Sequence, residues 1–389
     1  MKLNRLELSH YRNIESLELC PCDGINILYG DNAQGKTNLV EAVWLFTGNP
    51  SFRGGKLREL TRFGEDEARL KIRFEDRERE QEAELWIDGA AGRKKALLNR
   101  VECRTAGDLN GAFYAVVFSP AHLSFVKEGP KNRRHFLDIA ISQIKLPYRN
   151  YLLQYEKLLD QRNALLKNAS KYRNLEQNIE VWDLQLAKAG TILSIFRYDY
   201  IKKLQTLSAR IYEGLSRRKE SLGLRYLSTV FEGTEEPTAY DTATVEQYCR
   251  KLKESFQSDL HQGFTGIGPH RDDLEVEIEG RSARVYGSQG QQRSSVIALK
   301  LAEAHLLKKA VGEDPVMLLD DVMSELDVSR QDYILNHLKG MQVFLTCCDI
   351  SNTMKLREGK VFHVEGGHLR EETAVDSPPE EEGCPCICT

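Results

Sequence analysis

No stretch of the sequence approaches the roughly 18 consecutive apolar residues that a membrane-spanning helix needs, and Met1 runs directly into the alternating "KLNRLELSHYRNI" without a signal-peptide pattern. The expected setting is therefore cytoplasmic, with no membrane partner. Paired zinc-ligand spacings are missing too. Cys20, Cys22, Cys103 and Cys249 are scattered, Cys347 and Cys348 sit in an apolar segment, and Cys384, Cys386 and Cys388 alternate in the tail "EEGCPCICT". In a cytoplasmic chain of 389 residues these read as thiols, not as a disulfide framework. No internal repeat recurs, which excludes solenoids and propellers. An Asn-Lys-x-Asp element is absent, and with it the guanine recognition of a GTPase.

What is present is ordinary in amount and uneven in placement. Hydrophobic residues make up 41% and charged residues 29%, as in a globular chain with room for two domains. The net charge of −4 argues against a nucleic-acid partner, but its distribution argues for one. Residues 121–230 carry 20 Lys and Arg against 10 Asp and Glu, a net of +10, which leaves 34 basic and 48 acidic residues elsewhere. Such asymmetry points to a polyanion contact on the basic segment. Lys131, Arg133, Arg134, Arg217, Arg218 and Lys219 are the candidate DNA contacts; Arg133 and Arg134 have a competing role in anchoring the segment.

The first 120 residues read as strands broken by turns, with one clear helix in "KTNLVEAVWLFTG". From Lys131 to Leu227 Gly and Pro nearly vanish and apolar residues recur at helical spacing, as in "YRNYLLQYEKLLDQRNALLKN". Strand-and-helix alternation resumes at "TGIGPHRDDLEVEIEG". The expected organisation is a discontinuous α/β head over residues 1–120 and 265–372, a mainly helical basic lobe inserted at 121–264, and a loose acidic tail at 373–389.

Three motifs carry chemistry. "GDNAQGKT" (30–37) fits the phosphate-loop pattern G-x-x-x-x-G-K-[ST], follows the apolar strand "INILY" and opens a helix. Gly30, Asp31, Asn32, Ala33, Gln34 and Gly35 would wrap a phosphate, with Asn38 one residue past the motif. Lys36 would meet the β- and γ-phosphates, and Thr37 would offer its hydroxyl to magnesium. "PVMLLDD" (315–321) is a buried-strand pattern ending in two carboxylates. Asp320 would share the metal with Thr37, and Asp321 would orient or deprotonate an attacking water. "YGSQGQQRSS" (286–295) leads a polar, glycine-bearing entry into an apolar helix. Ser288 fits an ordinary N-cap, and Ser288, Gly290 and Gln291 also fit an anion at a helix start. ATP and Mg2+ are the cofactors these motifs call for. Lys36 and Asp320 lie 284 residues apart, too far for a compact kinase or GTPase.

That order of motifs resembles the ABC-type ATPase heads, in which a signature helix start caps the γ-phosphate of the opposing subunit's ATP. More narrowly, "YRNI" (11–14), "GDNAQGKTNLVEA" (30–42), "VVFSP" (116–120), "RRHFLD" (133–138), "GPHRDD" (268–273), "GSQGQQR" (287–293) and "LLDDVMSELD" (318–327) resemble the RecF family across residues 1–370. The resemblance implies a mixed-sheet ABC-type head with an inserted helical lobe. It also implies a weak, DNA-stimulated ATPase that dimerises with ATP on single- or double-stranded DNA, gaps or junctions. The implied role is recombinational repair and replication restart, with RecO- and RecR-type partners and, indirectly, RecA. By the same analogy Arg12 contacts the nucleotide.

The sequence departs from the pattern at three places. Ala121 stands where the family usually has an acidic residue after "FSP". The switch histidine of ABC transporters has no counterpart, because Thr346, Cys347 and Cys348 occupy that strand end. Asp321 stands where transporters carry Glu, and the shorter side chain suggests slow hydrolysis, suited to a timing switch. An SMC-like structural ATPase tethering DNA is the competing reading, but it calls for far longer heptads than 250 residues between Thr37 and Gly287 hold.

Overall fold

The computed structural model describes residues 1–123, 125–172, 174–231, 236–349 and 359–372; the expected acidic tail at 373–389, with Cys384, Cys386 and Cys388, lies outside the described residues. Alternating side chains fold the N-terminal stretch into β1 (Lys2–Tyr11) and β2 (Ile14–Leu19), with Leu6, Leu8 and Leu17 turned inward. The short β3 (Ile25–Tyr29) feeds α1 (Lys36–Leu45). Then come β4 (Glu67–Glu75), β5 (Glu80–Asp88), β6 (Arg93–Leu98) and β7 (Val101–Glu102), which extend β1 into an antiparallel sheet of order β2-β1-β4-β5-β6-β7.

β8 (Ala115–Phe118) and α2 (Pro120–Leu123) lead into α3 (Pro130–Ile144), α4 (Leu146–Lys167) and α5 (Leu175–Leu215). At 1.5 Å per residue α5 runs roughly 60 Å. After β9 (Leu222–Leu227) and α6 (Thr242–Gln262) come β10 (Asp273–Ile278), β11 (Arg281–Ser282), α7 (Ala283–Tyr286) and α8 (Gln289–Val311). The chain closes with β12 (Val316–Asp320), α9 (Val328–His337), β13 (Val343–Cys347), β14 (Gly359–Glu365) and β15 (His368–Glu372). The helical reading of residues 131–227 misses β9, which pairs antiparallel with β10 in a sheet of order β11-β10-β9. That sheet straddles the junction drawn at residue 264.

The central sheet has the order β15-β14-β3-β13-β12-β8, parallel except for β15. β12 and β13 are buried throughout, which explains their unbroken apolar runs: a parallel sheet is covered on both faces. Alternation splits its side chains between two cores. Leu28, Val117 and Leu318 pack with α1 and the antiparallel sheet, while Ile27, Phe118 and Leu319 pack with α3, α5 and α8.

Buried arginines clasp the lobe to this body. Arg133 Nε and Nη2 reach both oxygens of Asp273 at 2.7 and 2.8 Å, and its Nη1 donates to the carbonyls of Phe125, Val126 and Glu128. Arg197 donates to Asp138 at 2.8 Å and to the Pro269 carbonyl at 2.6 Å. Within the lobe itself, Arg162 of α4 bridges Asp183 of α5 and Asp259 of α6. Removing one partner of such a buried pair costs about 3–5 kcal/mol, because the other charge is left without water or counter-ion. "RRHFLD" and "GPHRDD" are thus the two halves of one clasp. The histidine of the second half, His270, donates from Nε2 to the Thr265 carbonyl at 3.0 Å and accepts at Nδ1 from the Tyr155 hydroxyl at 2.8 Å, and burial pushes its pKa down to about 4.

Candidate nucleotide-phosphate site

The parallel strands end on the same side of the sheet, where ligands of open α/β folds bind. β3 ends at the loop 30–35, β12 at Asp320 and β13 at Cys347. β14 ends just before Gly366 and Gly367, whose N–H groups donate to Gln34 Oε1 at 2.6 Å and to the Gln34 carbonyl at 3.0 Å. From the other side Asn13 Nδ2 donates to the same Gln34 carbonyl at 3.0 Å. The loop is therefore held between the β1–β2 turn and the β14–β15 turn.

Glycine is required at both ends of this loop. Gly30 has φ 146°, and a Cβ there would stand 2.3 Å from the Val364 carbonyl oxygen. Gly35 has φ 118° and caps α1, with Asn13 in the space a side chain would need. Ala33 is also left-handed, at φ 65°. Lys36 is buried, and its Nζ donates to the Gly30 carbonyl at 2.5 Å and the Asp31 carbonyl at 2.7 Å. The ammonium thus sits inside the loop on backbone oxygens, where a phosphate would exchange with them.

Thr37 Oγ1 donates to Asp320 Oδ1 at 2.8 Å. Thr346 Oγ1 donates to the same oxygen at 3.0 Å and accepts from the Asp321 N–H at 2.8 Å. Burial raises the Asp320 carboxyl pKa, and the bonds from Thr37 and Thr346 oppose that shift. A hydroxyl and a buried carboxylate in contact are the hard oxygen donors that suit Mg2+. Asp321 is left-handed at φ 50°, and its Oδ1 accepts from Ser324.

At the start of α8, Ser288 is the N-cap. Its Oγ accepts from the Gln291 N–H at 3.3 Å, and its own N–H donates to Gln291 Oε1 at 2.7 Å. Among the described residues the N–H groups of Gln289 and Gly290 have no protein partner. Beyond Ser294 the helix is buried on every side through Ala304. No hydrogen bond or ion pair among the described residues joins residues 30–38 to 287–293. The structure therefore joins Thr37 to Asp320, with Lys36 beside Thr37, and among the described residues no bond links Ser288, Gly290 or Gln291 to them.

Arg133 and Arg134 sit in the anchoring role named as their competing reading, and Arg12 is engaged by a carboxylate. Arg133 is 3% exposed and paired with Asp273, the anchoring alternative; a count of basic residues cannot reveal that burial. Arg134 is half-buried, with Nη1 on the Asp272 carbonyl. Arg12 holds the buried Glu41 through Nε at 2.9 Å and Nη2 at 2.7 Å, with Nη1 on the Glu59 carbonyl. Lys131, Arg217, Arg218 and Lys219 are exposed. Asn38 lies between Asn13, to which its Nδ2 donates at 2.7 Å, and Arg53, from which its Oδ1 accepts at 2.7 Å.

Sequence reading gave no site role to Asn13, Glu41, Arg53 or Thr346, although the first two lie in quoted motifs and Thr346 marks the strand end that lacks a switch histidine. Glu41 carried a signal: a carboxylate within "LVEAVWL" on an apolar helix needs a buried partner. Asn13, Arg53 and Thr346 carried none, because only the tertiary fold brings them to the loop. Cys348, at the strand end where transporters have a histidine, donates to Asn32 Oδ1 at 3.0 Å, and Lys36 Nζ is 3.7 Å from its sulfur.

The sequence matches the RecF/RecN/SMC N terminal domain family over residues 2–367. It is 38% identical over 373 residues to the DNA replication and repair protein RecF of Clostridium acetobutylicum, covering 95% of this chain and 100% of that one. The RecF of Alkaliphilus oremlandii is 40% identical over 375 residues, with 95% and 100% covered. Among solved structures, the recombination mediator protein RecF with ATPrS, of the RecFOR pathway, has a TM-score of 0.88 at 36% identity, over 95% of this chain and 98% of that one. An Smc head bound to the winged-helix domain of ScpA has a TM-score of 0.55 at 15% identity, over 96% and 97%, a likeness of fold alone. Fold and phosphate loop together define an ABC-type ATPase head with a long helical insertion. Within that class, the chain belongs to the RecF family of DNA replication and repair proteins.

No helix among the described residues is long and apolar enough to cross a membrane.

Proposed function

We propose that this chain is an ATP-driven switch of recombinational DNA repair, closing into a dimer on DNA when two ATP-loaded heads meet. The observation that carries the reading is the presence of two phosphate-type sites in one chain, the loop at 30–37 and the start of α8, with no bond between them. ATP would lie on the loop, its β- and γ-phosphates drawing Lys36 from the Gly30 and Asp31 carbonyls. Thr37 and Asp320 would hold Mg2+, which when bound neutralises phosphate charge. Asp321 would take the proton of the water that attacks the γ-phosphorus as the bond to the ADP oxygen breaks. Ser288, Gly290 and the N–H groups beside them would face the γ-phosphate of a nucleotide held by a second copy. The ATP- and ATPrS-bound states of related RecF structures, and their place in a RecFOR pathway, support nucleotide binding and RecO- and RecR-type partners.

Mixing two inactive variants tests the shared site. Lys36→Met removes the loop's cation, and Ser288→Arg fills the helix start. In a mixed dimer one site carries both defects and the other neither, so ATP-driven hydrolysis or dimerisation returns in part. A mixed dimer that forms without any return, together with no ATP-dependent cross-link from a cysteine at position 288 to the opposing loop, overturns the shared site.

DNA contact is assigned to exposed cations of the lobe, Lys131 and Arg218 among them. Each phosphate contact releases counterions, so each substitution to Ala lowers the slope of log affinity against log salt by about 1. An unchanged slope in the Lys131→Ala, Arg218→Ala double variant removes both from the DNA surface.

A further inference from the structure

The start of α8 forms one wall of a cavity of about 340 Å3. The opposite wall is the end of α5 and the turn that follows it, with Arg217, Lys219 and Glu220 facing in. Arg218, between the two lining cations, is not part of the wall. The turn is tight, because Arg217 and Arg218 are both left-handed, at φ 54° and 59°, and the chain reverses there into β9. Glu220 fixes the turn to the helix. Its Oε1 accepts from Gln291 Nε2 at 2.8 Å, its Oε2 accepts from Tyr212 at 2.8 Å, and its carbonyl accepts from Ser216 at 3.2 Å. Gln291 is at the same time the residue that closes the cap with Ser288, so the turn and the helix start are one unit.

The charges facing this space are unbalanced. Arg330 is paired with Asp327 and donates to Ser294 Oγ at 2.9 Å. The Glu220 carboxylate accepts from two neutral donors, Gln291 and Tyr212, and among the described residues pairs with no cation. Among the described residues the side chains of Arg217 and Lys219 have no hydrogen-bond or ion-pair partner, although both are exposed at the rim. A volume of this size is that of a small-molecule site. Two unpaired cations against the one Glu220 carboxylate, beside free helix N–H groups, leave a positive excess that favours an anion.

We propose that Arg217 and Lys219 belong to the nucleotide site and not to the DNA surface: in the dimer they bind the triphosphate held by the partner's loop, alongside the start of α8. This assignment rests on the shared-site reading and extends it, because the turn is the end of α5, the longest helix of the lobe. A shift of the lobe is then felt directly at the partner's phosphates, and nucleotide in turn favours one lobe position.

The test measures ATP-driven dimerisation of the full chain by sedimentation, in the absence of DNA, for an Arg217→Ala, Lys219→Ala variant. The dimer dissociation constant is expected to rise at least about tenfold, with the fold intact by circular dichroism. The charge-keeping pair Arg217→Lys, Lys219→Arg should recover most of that loss. The salt slope for DNA measured without nucleotide should keep its wild-type value. Wild-type dimerisation of the alanine variant with a DNA slope lowered by about 2 overturns the proposal in favour of a DNA contact. Ser288→Arg separates the two levels. If it abolishes dimerisation while the alanine variant dimerises normally, only the assignment of Arg217 and Lys219 fails. If Ser288→Arg also dimerises normally, the shared site fails and this proposal with it.

Discussion

Lys36→Met is expected to lower ATP affinity at least about a hundredfold and to leave the fold intact. The aliphatic stem keeps its place, because Met has nearly the volume and flexibility of the Lys chain it replaces and the site is 7% exposed. What disappears is the ammonium. Each hydrogen bond to a charged group contributes about 1.5–3 kcal/mol, and a lysine reaching two phosphates makes two of them. The sum is about 3 kcal/mol or more, which corresponds to a hundredfold or greater loss. Titration with a fluorescent ATP analogue checks this; an affinity within about threefold of wild type would show that Lys36 is not the phosphate ligand.

Asp321→Asn should leave ATP binding near its wild-type strength and slow turnover by about 10²–10⁴, the usual contribution of a positioned base. The substitution is structurally mild for a reason the backbone supplies. Position 321 is left-handed, and Asn is among the residues that best tolerate that region. The amide oxygen can still accept from Ser324, and the backbone N–H can still donate to Thr346. Asp320 stays in contact with Thr37, so the metal ligands are untouched. Single-turnover hydrolysis at saturating ATP is the measurement, and a rate within about threefold of wild type removes Asp321 from the role of base.

The parts of the site legible in the sequence are those written as contiguous motifs. The glycines of 30–35, Lys36, Thr37 and the carboxylates at 320–321 each announce themselves by spacing, since a phosphate loop must be one unbroken strand-to-helix connection. Contacts assembled from distant segments were illegible. Nothing around Asn13 indicates that it supports Gln34, and nothing around Thr346 indicates that it links Asp320 to Asp321. Arg12 and Arg133 show a second limit, because charge in a sequence does not say whether it faces water. Both proved to be partners of carboxylates, Glu41 and Asp273. β9 was missed for a third reason: six residues containing a glycine and an arginine, next to a 41-residue helix, carry too little alternation to announce a strand.

The position of β3 in the central sheet bears on how the chain is made. β3 is complete at Tyr29, yet both strands that flank it, β13 and β14, begin only at Val343 and Gly359. On a ribosome adding about 5–20 residues per second, the roughly 300 residues between them take about 15–60 s. For that interval "INILY" has neither of its hydrogen-bonding neighbours, and the loop it supports lacks the Gly366 and Gly367 contacts. The antiparallel sheet and the lobe, whose pairings are more local, can form during synthesis, whereas the nucleotide site is closed last. A ribosome-bound fragment ending before β13 would therefore present a folded periphery around an unpaired apolar strand, the state most in need of a chaperone.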